Sequence, residues 1–387
     1  MVPFRFRSSA LPLLLATPLF AQQPATRALT KPEAEFQESF DAVTALRELP
    51  GGRVLVTDLG PKTVILADFK SGQQRTVGRN GQGPGEYQFP GELLPLSGDS
   101  TLLVDRVSRR FLPIGPDGTL GRTLPYPDGL AGMAEPRGAD RQGRIYFQAS
   151  PFGGGGLDNG EPPAIPDSVA LIRWNRATNR LDTLTRVKIP SIKMQVSGTS
   201  NARAIMMRPQ PYAAADEWVV AADGRVGVAR VGDYHVEWLG PQAARGAPVP
   251  YDPVKVTDTD KQAYMSAMKN SRNRIIVNQG GPGRGAQEMK PPEPDASEFD
   301  WPAVKPPFRS GGGLRAAFLT PEGQLWVGRS TAARDSTPVF DVFDGRGALT
   351  GRVTLPLGRR VVGMGQDVVY AVRTDEDGLQ WLERYRR

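Results

Sequence analysis

Few side chains in this chain of 387 residues are equipped for covalent or metal chemistry. It has no cysteine and one histidine, His235. Disulfides, thiolate metal sites, cysteine nucleophiles, His-pair metal sites and shuttles needing two imidazoles are therefore excluded. His235 follows Tyr234 in an alternating run and reads as a strand residue rather than a general base. No Gly-x-Ser-x-Gly elbow occurs. The glycine-rich stretch from Gly78 to Pro90 is no phosphate cradle, because no Lys-Ser or Lys-Thr follows Gly83-Pro84-Gly85 and a strand pattern comes next. It reads as a structural turn whose glycines let the backbone cross between strands, with Glu86 and Tyr87 fixing it; direct ligand contact, through Arg79, Glu86 and Tyr87, is the functional alternative. Asp58 and Asp105, each closing a strand, are expected to bond backbone groups in the turn that follows, with a rim of carboxylates as the alternative.

The elements that would hold these residues are short. Glycine (44) and proline (36) make up about a fifth of the chain, rich in turns yet below the share of low-complexity disorder. β-type runs recur with one grammar: Gly52 to Asp58, Asp99 to Asp105, Gly143 to Phe147, Gly224 to Val228, Gly323 to Val327 and Gln366 to Tyr370. From Arg53 through Ser100, Arg144, Arg225 and Gln324 to Asp367 the spacings are 47, 44, 81, 99 and 43 residues. Three of these match a four-stranded propeller blade, and the other two match a blade plus an insertion. The fold class is thus all-β, a six-bladed β-propeller. The sixth blade runs out of chain after three strands, so a segment between Gln22 and Gln37 is expected to supply its fourth and close the ring. A decorated two-sheet sandwich is the alternative fold.

Strand alternation sorts the connections onto two faces, one with tight turns only. The other receives 151–167, 190–215, the insertion 241–313 and 330–338. One elaborated face over a central channel is the usual arrangement for a ligand or partner site. Arg137, Arg315, Arg359 and Arg360 lie near the predicted starts of innermost strands, where they would ring the channel mouth and suit an anionic ligand; the plain alternative is stems covering apolar rim with heads in water. Within the insertion, Thr257 to Asp260 resembles a capping box ahead of a helix to about Asn270, with Ala263, Tyr264, Ala267 and Met268 on one face. The prolines from Pro291 to Pro307 favour an extended strap, and Phe299, Trp301 and Phe308 are expected to pack it onto the propeller, with a ligand cage as the alternative.

Residues 1–21 read as a secretory signal peptide, with Arg5 and Arg7 ahead of the apolar run Leu11 to Phe20 and cleavage after Ala21. The run is too short to span a bilayer. Residues 22–387 then form one domain, expected to be monomeric, in the periplasm or outside the cell. The charge left after cleavage is mildly basic and dispersed, which argues against nucleic acid and leaves a partner protein, a glycan or a small anionic ligand.

The stretch Gly78 to Pro90, followed by Leu102 to Phe111 and Gly115-Pro116-Asp117-Gly118, resembles NHL-repeat propellers and the bacterial six-bladed propellers related to them. Leu325-Trp326-Val327 through Val342-Phe343-Asp344 to Tyr385 is similar to the same group. The resemblance implies an exported six-bladed propeller, in most cases without assigned activity. Some similar propellers are zinc lyases, which need several histidines and are excluded here. Others are calcium-dependent lactonases, which need Glu, Asn and Asp converging on one Ca²⁺ at the channel mouth; Asp216, Glu217, Asn201 and Glu86 are the candidate ligands that this implies. Three functions follow: a non-catalytic binding propeller, a metal-dependent hydrolase or lyase with bound Ca²⁺, and a scaffold in a cell-envelope assembly.

Overall fold

The computed structural model describes residues 24–130, 134–152, 164–199, 202–274, 295–309, 315–335 and 337–387. The expected signal segment 1–21, Asn201, the glycine-rich 153–163 and the first prolines of the strap lie outside them.

Six four-stranded antiparallel sheets follow one another around a ring. Blade one is Val43–Leu49, Arg53–Asp58, Thr63–Asp68 and Gln74–Thr76, and blade two is Pro90–Pro95, Thr101–Asp105, Arg110–Ile114 and Leu124–Pro125. Blade three is Glu135–Ala139, Ile145–Gln148, Ser168–Asn175 and Arg180–Lys188; blade four is Glu217–Val220, Val226–Arg230, His235–Leu239 and Ala244–Arg245. Blade five is Ala317–Leu319, Leu325–Gly328, Val339–Phe343 and Leu349–Thr354, and blade six opens with Arg359–Gly365, Val368–Thr374 and Gln380–Arg386. The innermost strands neighbour one another in ring order, and blade six touches blade one.

The repeated runs all form second strands, because each apolar row is buried against the next blade. Six buried clusters result, one at each interface between blades. The ring needs its inner strands close together, and glycine supplies the space at two of them. A Cβ on Gly138 would sit 2.4 Å from Val220, and one on Gly363 would sit 2.8 Å from the Leu46 side chain.

Closure comes from the N-terminal segment. Ala34–Phe40 is the fourth strand of blade six, antiparallel to Gln380–Arg386, so the strand runs three residues past the expected Gln37. A second contribution was not foreseen. Thr26–Ala28 adds a fifth, parallel strand to blade five beside Leu349–Thr354, tied by Arg352 N–H to the Ala25 carbonyl at 2.9 Å. One segment thereby staples two blades and covers the edge that the chain's last sheet would expose.

The insertion departs from expectation in two details. The helix spans Asp258–Arg274, four residues longer than expected. Its inward face is Asp260, Tyr264 and Met268, while Ala263 and Ala267 face outward. The cause is the cap: Thr257 N–H donates to the Asp260 carboxylate at 2.8 Å, which points that carboxylate inward and rotates the helix accordingly. Asp58 and Asp105 also act differently from expectation. They hold chiefly the loop entering their own blade, with Asp58 accepting from Asp41 and Ala42 N–H (3.0 and 2.7 Å) and Asp105 from Gln88 and Phe89 N–H (3.1 Å each). A strand end beside the innermost strand presents its side chain to that entering loop, not to its own turn. Among the described residues, no helix is long and apolar enough to cross a membrane.

Candidate binding face

The loop-rich face carries 77–89 and the described parts of 149–167, 189–216, 246–316 and 329–338. At its centre, the channel mouth is occupied by the protein's own charges. Arg315 of blade five reaches across to Glu92 of blade two (2.9 Å), and donates a further hydrogen bond to the Arg137 carbonyl of blade three (2.8 Å). Arg137 in turn meets Glu217 of blade four at 3.4 Å and Gln148 at 3.2 Å, with its guanidinium 5.6 Å from the Trp218 ring centre. Trp218 Nε1–H donates to the same Gln148 oxygen at 3.0 Å. Burial pushes the Glu217 carboxyl above its ordinary range, against the pull of Arg137 and Arg315. The mouth is a crossed network that links four blades, and its half-buried outer end is the Arg315–Glu92 pair.

Arg359 and Arg360 are placed elsewhere. Arg359 forms a two-pronged pair with Glu383 (3.0 and 2.9 Å) inside blade six. Arg360 donates to the Val43 carbonyl (2.8 Å) and Gln380 (3.2 Å), joining blade six to blade one; burial without an acidic partner lowers its guanidinium to about 10. Only Arg137 and Arg315 of the four therefore meet at the mouth.

Arg79 and Glu86 pair with each other at 2.6 Å on the loop between blades one and two, and Glu86 also accepts from Gly83 N–H. The loop is clamped from below by Arg110, which donates to the carbonyls of Gln82 and Glu86 at 3.0 Å each. Tyr87 is fully buried, its hydroxyl donating to the Val77 carbonyl and accepting from Val64 N–H. Asp216 is held by Lys188 N–H, Val231 N–H and Arg230, all within 2.9 Å. Asp216, Glu217 and Glu86 are thus each engaged separately. Among the described residues no three His, Cys, Asp or Glu side chains are grouped to hold a metal ion. His235 is buried in the third strand of blade four, with Nδ1 2.6 Å from Asp233.

On the same face lies a groove of about 870 Å³ between the ends of blades three and four and the proline strap. Tyr212, Trp301, Tyr251, Val304, Lys188 and Gln210 are among its walls. Tyr212 sits at φ 50°, where a tight turn after Pro211 aims it at the insertion. Its ring is 5.7 Å from Tyr264 and 6.3 Å from Trp301, and Phe299 completes the aromatic cluster. Phe308 packs on Tyr234 at 5.3 Å and fixes the strap's end to blade four. One buried ion pair locks the assembly: Lys305 Nζ donates to Asp260 and to the Thr331 carbonyl (2.7 Å each) with the Tyr212 ring beneath it at 4.6 Å. Burial pushes the Asp260 carboxyl upward, yet bonds from Lys305, Thr257 and Ala333 N–H outweigh it and hold the group well below its ordinary range. At the groove's outer end Lys193 pairs with Asp300.

Sequence reasoning pointed to the face and to part of its residues, and missed most of the groove's walls. Glu92 and Lys188 carry no local signal, and Tyr212 is marked only by its neighbour Pro211. Asp260 was legible as a cap but not as the partner of Lys305.

No family model matches the chain, and no curated protein matches it. Solved structures that are similar include a gluconolactonase from Xanthomonas campestris, 12% identical over 91% of each chain with a TM-score of 0.43. A Bacteroides fragilis protein named for export is 10% identical over 94% of this chain and 99% of that one, with a TM-score of 0.49. Virginiamycin B lyase from Staphylococcus aureus is 6% identical over 92% and 98%, with a TM-score of 0.44.

Proposed function

We propose that this six-bladed propeller is an exported binding module that holds an acidic glycan in the groove of the loop-rich face, without catalysing a reaction. The groove carries the reading: about 870 Å³ walled by Tyr212, Trp301 and Tyr251, with Lys188 on its rim. Flat rings offer sugar faces an apolar platform, and polar edge groups set orientation. Lys188 is exposed, and no ion pair engages its ammonium among the described residues, so it is the cation available to a uronate. The charged side chains of the channel mouth already satisfy one another, which favours the groove over the mouth as the seat. Export rests on the Arg5, Arg7 and Leu11 to Phe20 pattern.

Calorimetric titration of the mature protein with a uronic-acid hexasaccharide tests this. Binding is expected, weakened about tenfold by Lys188→Glu through reversal of one charge contact and reduced by raised salt. An acidic peptide that binds while the glycan does not would replace the glycan with a protein partner. A stoichiometric Ca²⁺ found by elemental analysis, with a melting temperature that falls on chelation, would overturn the non-catalytic reading and direct attention to lactones.

A further inference from the structure

A second, smaller cavity lies far from that groove, on the outer part of blade five where the N-terminal strand Thr26–Ala28 is added. It measures about 220 Å³ and is walled by Trp326, Val342, Gly351, Arg352, Arg27 and Arg387, among others. Register explains why it exists. Trp326 pairs with Val342, and Val342 pairs with Gly351, so the three share one face of the sheet, and the row ends beside Ala25. Gly351 has no side chain to follow the indole and the valine, and a Cβ built there would meet only the Ala25 carbonyl, at 3.3 Å. The space is what the missing side chain leaves.

Its chemistry is one-sided. Trp326 is 2% exposed, and its Nε1–H has no hydrogen-bond partner. A buried donor left unpaired is uncommon, because the indole loses water and gains nothing in return. Arg27 and Arg387 line the same cavity, Arg352 borders it along its strand, and no carboxylate side chain is among the walls. Arg352 turns its guanidinium to Asp341 at 2.9 Å on the other face of the sheet, and Arg387 is committed to Glu322 at 2.8 Å and to the Gly365 and Val368 carbonyls at 3.0 and 3.2 Å. Arg27 is exposed and has no ion pair among the described residues. A guanidinium carries five donors and no acceptor, so Arg27 and the Trp326 indole present donors to the cavity with no carboxylate among its walls to meet them.

We infer that this cavity is a binding site for a small oxyanion, a phosphate or the carboxylate of a small organic acid, which accepts from Trp326 Nε1–H and from Arg27. At about 220 Å³ the cavity has room for such a ligand. The site is independent of the groove, since it lies on a different blade and takes its key cation from the N-terminal segment.

The six tryptophans give a direct reading through their indole N–H resonances in a ¹⁵N-labelled sample of the mature protein. Trp326→Phe, which keeps the ring against Phe340, assigns the Trp326 signal by its loss. Titration with inorganic phosphate, and separately with acetate and citrate, at ionic strength fixed by sodium chloride, is expected to move that signal downfield to a plateau. Arg27→Gln should weaken the apparent affinity about tenfold, Gly351→Val should abolish the shift by filling the cavity, and Lys70→Gln, the same charge change on an exposed turn, should leave it intact. A plateau with phosphate alone identifies phosphate as the oxyanion, and one with the organic acids alone identifies a carboxylate. A signal that stays still with every oxyanion, one that follows chloride equally, or one that survives in Gly351→Val means that water alone fills the cavity and overturns the inference. Arg27 is exposed, so its variant reports even if a core substitution at 326 or 351 fails to fold.

Discussion

Ring closure by the N-terminal strand can be tested at Phe36. The residue is 1% exposed in Ala34–Phe40, with its ring 6.0 Å from Phe40 and 5.6 Å from Phe69, in the cluster that joins blade six to blade one. Phe36→Ala should remove about 3–5 kcal/mol, the range for a large aromatic deleted from a packed core. With about 2.1 cal/mol/K of unfolding entropy per residue, a domain of this length carries roughly 0.8 kcal/mol/K, so the melting temperature should fall by about 4–6 °C. Scanning calorimetry at a fixed rate measures it, with Leu357→Ala, 59% exposed in the turn before blade six, as the control expected to shift by less than about 1 °C. Removing residues 22–40 should do more, because it also strips the hydrogen-bonded partner from Gln380–Arg386. That truncated chain should regain stability when a peptide of residues 24–40 is added, as a strand supplied from outside can complete an open edge. A Phe36→Ala melting temperature indistinguishable from that of Leu357→Ala would refute closure through this strand.

Two further outcomes follow from the buried charges. Lys305→Met leaves the unexposed Asp260 carboxylate without its cation and should destabilise the insertion by about 3–5 kcal/mol, read as faster hydrogen exchange across Asp258–Arg274 than in the blades. The depressed Asp260 carboxyl contributes stability above its unfolded value of 3.8 and loses it as the pH falls below, so wild type and variant should converge in acid. Glu217 has the opposite sign: its raised carboxyl gives stability that is complete below about 4.5 and declines as the pH rises through the folded value. Glu217→Gln should therefore flatten the decline in melting temperature above that pH, and a steeper decline would show that the Arg137 and Arg315 attraction outweighs burial.

The blades were legible because each second strand buries its side chains on both faces and is bounded by glycine or aspartate, a pattern written in consecutive residues. The closing strand was legible only as a topological need. Its partners, Gln380–Arg386, are more than 330 residues away in sequence, and nothing local in Thr26–Ala28 announces a parallel pairing with blade five. The same limit governs the face. Arg137 and Arg315 were singled out by their position near the starts of innermost strands, and they do meet at the mouth, but their partners Glu217 and Glu92 come from other blades. Arg359 and Arg360 share the sequence signal and differ in outcome, because successive strand residues point to opposite sides: one meets Glu383 within blade six, the other meets blade one.

That alternation bears on where a ligand would sit. A propeller brings six inner strands to one axis, and charges at their starts fall within reach of each other across the channel. Here Arg315, Glu92, Arg137 and Glu217 come from four different blades and neutralise one another, so an incoming anion at the mouth must displace Glu92 before it gains Arg315. The groove imposes no such exchange on Lys188, and its aromatic walls are already ordered by the Lys305–Asp260 pair and by the cluster of Tyr212, Tyr264, Phe299 and Trp301. Ordering in advance lowers the entropy that a ligand must overcome. The insertion, which is absent from the repeating blade grammar, is thus what converts a self-satisfied ring into a surface with unmet contacts.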